Sequence, residues 1–292
     1  MRPRLRRIGI RAVAQRLVYR AAVITVADLL TYPVKSCRGI AHEAARLTAA
    51  GLEHDREWMF VGPGGRFLTQ REEPRLAQVA VALQGGELRL SATGAGGVGV
   101  PLDLAGPPVE ATVWGDRVAA VDQGDAAAAW ITALLGREAR LVRFDPAARR
   151  TSERAWTGEI EALNRFSDGY PLLVVSRASL DDLNSRLPDA LPMNRFRPNF
   201  VLDGLPAYGE DGLHELESDG VRLRIVKPCT RCSITTTDQG TGALTGDEPL
   251  RTLRTYRWDA KLRGATFGMN TIVVEGAGRT LRVGASFDAT RR

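Results

Sequence analysis

Two cysteines, Cys229 and Cys232 in the run Cys-Thr-Arg-Cys, carry the strongest chemical signal in the chain. Such a pair forms a redox-active dithiol, supplies half of a zinc site, or presents one thiolate to a soft transition metal. The strand-like run Ser-Ile-Thr-Thr-Thr that follows disfavours a helix-opening redox dithiol, and Cys37 offers no second pair for zinc. Two buried thiols acting as small hydrophobic side chains remain an alternative, although Lys227 and Arg231 make the surroundings polar.

Side chains that bind anions follow several of the expected strands. Lys35 and Ser36 stand in Tyr-Pro-Val-Lys-Ser-Cys after the first strand, and Arg56 stands in Asp-Arg-Glu-Trp. Arg197 and Asn199 belong to Arg-Phe-Arg-Pro-Asn. Ammonium, hydroxyl and guanidinium groups suit phosphate or another anion. Each group alone is more often part of a solvated turn or a surface ion pair, but together they could surround a planar polyanion.

Composition limits the classes of protein to which the chain can belong. The 292 residues are 44% hydrophobic and 25% charged, which is typical of one large or two ordinary globular domains. Three cysteines are too few for a disulfide-stapled scaffold, and three dispersed histidines argue against a histidine-rich metal centre. No apolar run approaches the roughly 20 residues that span a bilayer, so we expect no transmembrane segment.

The positive charge is carried almost entirely by arginine. The net charge is +6, and only three of the 40 lysine and arginine residues are lysine: Lys35, Lys227 and Lys261. A genome-wide arginine bias accounts for this, but some lysines are also expected where a guanidinium cannot replace an ammonium. Few aromatic residues interleave with the basic runs, so we expect no nucleic-acid binding.

The glycine-rich run at residues 94–99 matches the dinucleotide pattern Gly-x-Gly-x-x-Gly but lacks its structural context. The following Val-Pro-Leu-Asp-Leu-Ala-Gly-Pro-Pro cannot open a helix, so a pyrophosphate would find no helix N-terminus. We interpret the run as a flexible turn.

The elements that must position these residues are mostly strands. Hairpins are expected over 58–69, 78–90 and 109–121, and further strands over 23–30, 200–203, 221–226, 233–237, 271–275 and 279–283. Helices are expected over 126–135, capped by Asp125 and ended by Gly136, and over 176–187. Residues 138–166 are polar and read as a connection. The fold class is therefore mostly β with a few helices (α+β).

The amino-terminal segment, residues 1–22, contains seven arginines and no acidic residue. A transit peptide and a basic arm that contacts nucleic acid or lipid are possible interpretations. We expect a disordered, solvated extension, because serine and the apolar core of a secretory signal are missing. The fold is expected to begin at residue 23.

These segments, taken in order, resemble the MOSC superfamily, named for the C-terminal domain of molybdenum cofactor sulfurase. The closer resemblance is to the branch with an N-terminal MOSC β-barrel domain, which includes the mitochondrial amidoxime-reducing component and its bacterial relatives. The resemblance implies an N-terminal domain over 23–140 and a MOSC β-barrel domain over 141–292. The matching stretches are 32–37, 51–58, 70–76, 167–173, 178–184, 195–199, 229–238 and 267–270.

The resemblance implies a molybdenum–molybdopterin cofactor. Cys232, the second cysteine of the pair, would be the metal ligand and the catalytic residue. The other residues implied at the cofactor are Lys35, Ser36, Arg56, Asp168, Gly169, Tyr170, Arg197, Asn199, Thr230, Arg231 and Asn270.

The activity implied is the two-electron reduction of N–OH to N–H in small N-hydroxylated compounds. No cysteine follows Cys232, so we expect no iron–sulfur domain and a separate electron donor of the ferredoxin, flavodoxin or flavin reductase type. A cytoplasmic location is expected, and pyridoxal phosphate is not. The alternative function is a sulfur carrier, with a persulfide on Cys232 that serves molybdenum cofactor or metal–sulfur cluster assembly.

Overall fold

A computed structural model describes residues 23–103 and 105–292. The expected basic extension, residues 1–22, lies outside the described residues. The described chain is mostly strands with four α-helices, which confirms the expected fold class. The helices are α1 (Asp125–Leu135), α2 (Arg154–Thr157), α3 (Arg177–Asn184) and α4 (Leu250–Tyr256).

Nineteen strands are present in the described part of the chain. In the first half they are β1 (Ile24–Thr31), β2 (Ile40–His42), β3 (Ala44–Thr48), β4 (Gly51–Leu52), β5 (Trp58–Val61), β6 (Ala80–Gln84), β7 (Glu87–Ala92), β8 (Gly96–Pro101), β9 (Pro108–Val113), β10 (Asp116–Asp122) and β11 (Arg140–Phe144). In the second half they are β12 (Leu172–Ser176), β13 (Phe200–Asp203), β14 (Leu213–Ser218), β15 (Val221–Thr230), β16 (Trp258–Asp259), β17 (Gly264–Glu275), β18 (Thr280–Arg282) and β19 (Ser286–Arg291).

Seven strands close into a barrel. Their order is β12-β13-β1-β19-β14-β15-β17, and pairing between β12 and β17 completes the ring. The inward side chains of β1 alternate with outward ones, as a strand with one face on a core requires. Inside the barrel, Leu29, Phe200, Leu223 and Met269 are each at most 1% exposed. Closure leaves this sheet with few unpaired edges.

A second unit packs beside the barrel. Its four-stranded sheet has the order β5-β11-β10-β9, and a three-stranded meander has the order β6-β7-β8. Helix α1 lies against β11 and β8, so Ile131 joins Trp58, Phe60 and Leu88 in one fully buried cluster. The amphipathic face of α1 and the alternation of the strands therefore build the core of this unit together.

The two units exchange chain segments. β1 precedes the smaller unit in sequence but pairs with β13 and β19 of the barrel, and β3 pairs with β18. β11 pairs with β5 and β10, so the sheet of the smaller unit continues past residue 140. The expected division between 140 and 141 falls inside β11, and the interpretation of 138–166 as connection alone is wrong for residues 140–144.

Several other expectations differ from the structure in detail. Residues 233–236 form a 3₁₀ helix instead of a strand, because the hydroxyls of Thr235 and Thr236 each donate to the backbone oxygen three residues back, at 2.9 and 2.8 Å. Gly124, not Asp125, is the N-cap of α1, and the Asp125 carboxylate pairs with Arg140 at 2.9 Å. Residues 66–69 form no strand, although Phe67 bridges to β5.

The expectations for the glycine-rich run, the helix ends and the membrane can also be compared with the structure. No helix follows the glycine-rich run, in agreement with the exclusion of a dinucleotide motif, but the interpretation of 94–99 as a flexible turn is wrong for residues 96–99, which begin β8 and pair with β7. Gly136 ends α1 with a left-handed φ of 65°, as expected, whereas α3 ends at Asn184, before the expected residue 187. Among the described residues, no helix has the length and apolarity needed to cross a bilayer.

Candidate functional site

A cleft lies where the smaller unit meets the barrel, and residues of both units line it. All twelve residues that the sequence analysis assigned to the site line this cleft, so segments 235 positions apart in sequence converge. Their individual roles remain predictions. They are Lys35, Ser36, Arg56, Asp168, Gly169, Tyr170, Arg197, Asn199, Thr230, Arg231, Cys232 and Asn270.

The thiol side of the cleft follows the end of β15. Cys229 and Cys232 are both partly exposed to the cleft, whereas Cys37 is fully buried. Burial raises the pKa of the Cys37 thiol to about 12, so Cys37 is a packing residue. The Arg231 guanidinium connects Cys229 to the segment before β13. One of its nitrogens is 2.9 Å from the Cys229 sulfur, and another donates to the Phe196 carbonyl at 2.7 Å.

An ion pair joins the turn after β1 to the loop before β12. Lys35 Nζ donates to the Phe166 carbonyl at 2.8 Å and lies 2.5 Å from Asp168 Oδ1. Desolvation lowers the pKa of Lys35, and the Asp168 carboxylate opposes that change. Desolvation acts to raise the pKa of Asp168, but the Lys35 ammonium holds it well below its ordinary range. Asp168 is therefore a carboxylate near neutral pH, and its negative charge favours the protonated form of Lys35.

Two arginines enclose one tyrosine at the floor of the cleft. The guanidinium carbons of Arg56 and Arg197 lie 4.3 and 4.2 Å from the centroid of the buried Tyr32 ring. Arg56 also donates to both carboxylate oxygens of Asp55, at 2.8 and 2.6 Å, and Arg197 donates to the Cys37 carbonyl at 2.7 Å. Desolvation lowers the pKa of Arg197 to about 10, so Arg197 stays a cation at neutral pH.

Three cleft residues have a left-handed backbone. Ser36, Arg56 and Arg197 have φ values of 69°, 47° and 56°. A non-glycine residue in this region costs roughly 1–3 kcal/mol and persists only where its surroundings fix it. Here the Arg56 amide donates to the Tyr32 carbonyl at 2.9 Å, and the Arg56 carbonyl accepts from Phe166 at 3.0 Å. Such concentrated backbone strain is typical of a functional site.

Asn199 holds the cleft wall together from behind. Its Nδ2 donates to the Leu30 carbonyl at 3.1 Å, and its Oδ1 accepts from the Leu173 amide at 3.1 Å and from Arg56 at 3.2 Å. It is 1% exposed. The side chain therefore ties β1 to β12 and orients Arg56, in addition to any contact with a ligand.

The sequence analysis missed several residues of the cleft. Gln70-Arg-Glu-Glu-Pro-Arg was noted as a matching stretch, but no member of it received a role. Phe196 reaches the cleft through a ring stack with Phe267 at 4.1 Å, which no local pattern indicates. The additional lining residues are Thr69, Arg71, Ser167, Leu172, Leu173, Phe196, Cys229, Ile234 and Thr235.

Of the three lysines, Lys35 lines the cleft, and the other two share one aromatic ring outside its lining. The ammonium groups of Lys227 and Lys261 are 5.1 and 5.0 Å from the centroid of the Trp156 ring. Lys227 is also 5.8 Å from the ring of Tyr170, which lines the cleft. A local reason for retaining lysine at these positions stays a prediction.

Family models match most of the chain. The MOSC N-terminal beta barrel domain matches residues 23–138, and the MOSC domain matches residues 162–288. The interval between the two matches contains β11 and α2.

Curated relatives match across nearly the same length. Mitochondrial amidoxime-reducing component 1 of Homo sapiens is 38% identical over 277 residues, which covers 89% of this chain and 81% of the relative. Its Mus musculus counterpart is 36% identical over 274 residues, covering 89% of this chain and 80% of the relative. Mitochondrial amidoxime reducing component 2 of Bos taurus is 36% identical over 245 residues, covering 80% and 72%.

Proposed function

Since the chain belongs to the MOSC family, in the branch with an N-terminal MOSC β-barrel domain, we propose that it is a molybdenum-cofactor-dependent reductase of N-hydroxylated compounds. The relatives are named for amidoxime reduction, which supports an oxidoreductase acting on N–OH groups. In the proposed reaction, one hydroxylamine, two electrons and two protons give one amine and one water. One observation carries the proposal: the thiol of Cys232 shares a cleft with Lys35, Arg56 and Arg197.

The residues present fit an anionic, sulfur-coordinated cofactor. Cys232 offers a soft thiolate, which suits a transition metal with sulfur ligands. The cleft is lined by more cationic than anionic side chains, which suits a phosphate-bearing ligand. Two polar atoms of cleft residues, Tyr170 Oη and Arg231 Nε, are buried without a hydrogen-bond partner in the protein. Buried polar atoms are normally satisfied, so both favour a polar ligand at this place.

The bound cofactor would supply the two-electron redox centre, and the protein would supply binding, orientation and electrostatics. Cys232 would hold the metal from the end of β15. Arg56 and Arg197, fixed by Tyr32 and by their hydrogen bonds, would hold anionic or polar edges of the ligand. Lys35 Nζ would place a positive charge at the cleft floor, and the Asp168 carboxylate would favour the protonated form of that group.

The partners in this proposal are a small N-hydroxylated substrate and a separate electron-donor protein of the ferredoxin, flavodoxin or flavin reductase type. The names of the relatives assign those proteins to mitochondria. A cytoplasmic location for this chain therefore stays a prediction.

The test compares Cys232→Ala with Cys229→Ala, a matched change three positions away on the same cleft. Protein made in a host that synthesises the cofactor is assayed for molybdenum per chain, for pterin, and for amidoxime reduction with dithionite-reduced viologen. Cys232→Ala is expected to lose activity by at least about 100-fold, as loss of a metal ligand does, while Cys229→Ala keeps most of it.

Two outcomes would contradict the proposal. Near-normal turnover of Cys232→Ala with metal still bound would remove the assignment of the ligand. Wild-type protein that carries no molybdenum but does carry cyanide-labile sulfur on Cys232 would replace the reductase with the sulfur-carrier function.

A further inference from the structure

Arg71 differs from the other cations of the cleft because its head group is uncommitted. Lys35, Arg56, Arg197 and Arg231 each donate at least one side-chain hydrogen bond to the protein. In the described part of the chain, the Arg71 guanidinium makes no hydrogen bond and no ion pair; only its backbone amide is bonded, to Thr69. Its donors are free, and it lines the cleft.

The guanidinium is nevertheless held in place from behind. Its central carbon lies 4.4 Å from the centroid of the Trp114 ring. The Trp114 indole N–H donates to Asp168 Oδ1 at 3.1 Å, and the ring packs against Phe67 with centroids 5.3 Å apart. Stacking on an aromatic face restrains a guanidinium while it leaves the N–H edges free to donate.

Trp114 itself occupies an unusual position. It stands in the turn between β9 and β10, has a left-handed φ of 55° and is 48% exposed. A large aromatic residue with a strained backbone and an exposed side chain is uncommon, and such strain persists only where surrounding contacts fix it. Its contacts with Arg71 and Asp168 place it at the edge of the cleft, so the hairpin of the smaller unit carries an aromatic support to the ligand site.

The nearby acidic groups do not neutralise Arg71. Asp168 Oδ1 is already 2.5 Å from the Lys35 ammonium, and both oxygens of Glu72 accept from Arg66, at 2.8 and 2.7 Å. Arg71 therefore keeps a full positive charge and a planar set of donors. That set matches the two oxygens of a carboxylate or a phosphate.

We propose that Arg71, supported by Trp114, forms an oxyanion-binding site at the edge of the cleft. The site deepens the proposed function and rests on it for the identity of the oxyanion, which is either the phosphate of the cofactor or an acidic group on the N-hydroxylated substrate. Both sources share the same chemistry, and the experiment separates them.

The first measurement uses cofactor-free protein and inorganic phosphate in isothermal titration calorimetry. Arg71→Gln is expected to raise the Kd for phosphate at least about tenfold, because a hydrogen-bonded charged partner is lost. The Kd of Arg71→Lys is expected to lie between those of wild type and Arg71→Gln, since lysine keeps the positive charge but not the planar pair of N–H donors. The control is Arg117→Gln, because Arg117 lies on the β9–β10 hairpin that carries Trp114 and its exposed side chain is outside the cleft. Its Kd for phosphate should stay within about twofold of the wild-type value.

The second measurement uses protein made in a cofactor-synthesising host. If Arg71 binds the cofactor phosphate, Arg71→Gln lowers molybdenum and pterin per chain. If Arg71 binds the substrate, occupancy is unchanged and KM rises about tenfold or more for a carboxylate-bearing hydroxylamine but not for an uncharged one.

An Arg71→Gln protein with wild-type phosphate affinity, cofactor occupancy and KM values would overturn the proposal. Wild-type protein without molybdenum would instead contradict the proposed function. In that case the phosphate titration on Arg71→Gln and Arg71→Lys still decides whether the oxyanion site exists.

Discussion

Tyr32 connects two of the cations on which the candidate site depends. The guanidinium groups of Arg56 and Arg197 both lie within 4.3 Å of the centroid of its ring, so two like charges share one aromatic partner. Each face of the ring carries negative partial charge, and this arrangement offsets part of the repulsion between the two arginines. The contacts with Tyr32 therefore restrain both cations in one cleft.

Loss of an anchoring cation should appear first as loss of cofactor. We expect Lys35→Ala and Arg197→Ala to lower molybdenum per chain several-fold, because each removes a charge that faces an anionic ligand. Metal analysis of proteins purified in parallel measures this effect. Exposed Arg46→Ala is the control, since Arg46 lies in a surface ion pair with 57% of its side chain exposed. Full occupancy in both cleft variants would argue against their role in binding.

Removal of the Tyr32 hydroxyl should stabilise the protein. Tyr32 Oη is buried without a hydrogen-bond partner, and desolvation raises the pKa of Tyr32 to about 12. Tyr32→Phe keeps the ring and removes the unsatisfied atom, so the free energy of unfolding is expected to rise by about 1 kcal/mol. Tyr32→Leu loses the stack as well and should lower it by about 3 kcal/mol. Urea unfolding of the cofactor-free proteins measures the stability of both variants. A destabilised Tyr32→Phe would show that the Tyr32 hydroxyl has a hydrogen-bond partner.

Residue types and their order were sufficient to nominate the site, but not to explain it. Lys35, Arg197 and Cys232 belong to motifs that can be recognised in one dimension. The uncommitted state of Arg71 and its support by Trp114 depend on side chains 43 positions apart in sequence, which only the tertiary fold brings together. Local spacing cannot show which of several arginines lacks a partner.

At the scale of elements, a glycine in β17 determines how closely that strand approaches its neighbour. Gly268 has a φ of 75°, and a Cβ there would lie 2.6 Å from Val175 Cγ2 and 2.8 Å from the Val174 carbonyl oxygen. Gly268→Ala is expected to cost about 3 kcal/mol of unfolding free energy, from crowding and left-handed strain together. Gly278→Ala has similar strain (φ 94°) but open space, and should cost about 1 kcal/mol. Denaturant unfolding measures both variants. An equal loss of unfolding free energy in Gly268→Ala and Gly278→Ala would show that crowding at Gly268 contributes nothing.

A buried carboxylate links the loop before β5 to β11. Glu57 Oε1 accepts from Arg143 at 2.7 Å, and its other oxygen lies 3.0 Å from His54 Nδ1. Desolvation acts to raise the pKa of Glu57, but the His54 hydrogen bond and the charges of Arg165 and Arg143 lower it to about 2. A lowered carboxyl pKa adds stability above its unfolded value near 4.5, and that stability is lost as the pH falls towards 2.

Glu57→Gln tests this linkage. At pH 7 we expect it to lower the free energy of unfolding by about 3 kcal/mol, and the difference from wild type should shrink as the pH falls from 4.5 to 2. The control is Glu53→Gln, because Glu53 forms an exposed ion pair with Arg46. This change should alter the free energy of unfolding by less than about 1 kcal/mol at any pH. A difference for Glu57→Gln that is independent of pH would mean packing, not charge, is responsible.

The sequence patterns predicted element types better than element ends. Alternation and glycine turns identified the hairpins formed by β6–β7 and β9–β10, because these are local signals. The strand expected over 233–237 was wrong, since side-chain hydroxyls compete with strand pairing by bonding to their own backbone. Residues 66–69 resemble a strand in composition, but β5 pairs with β11 instead.

At the scale of the whole molecule, the exchange of β1 makes the two units interdependent. A barrel without β1 would leave β13 and β19 with unpaired edges and would open the core around Leu29 and Phe200. We therefore expect residues 141–292, expressed alone, to aggregate or stay unfolded, whereas the full chain folds. Circular dichroism and size-exclusion chromatography of the fragment and the full chain test this, and a monomeric, cooperatively folded fragment would show that the barrel does not need β1.

The division of the chain into two domains could be predicted from motif order, but their interpenetration could not. Nothing local distinguishes β1, which joins the barrel, from β5, which joins the smaller unit. Both are apolar strands followed by turns, and their partners in β13 and β11 lie at least 79 residues further along the chain. Long-range pairing of this kind has no signature in a single sequence.

The position of β1 also sets the order of events during synthesis on the ribosome. β1 is made before both of its barrel partners, and β13 follows it by about 170 residues and β19 by more than 250. We therefore expect this apolar segment to stay unpaired during most of translation, when it is open to wrong contacts.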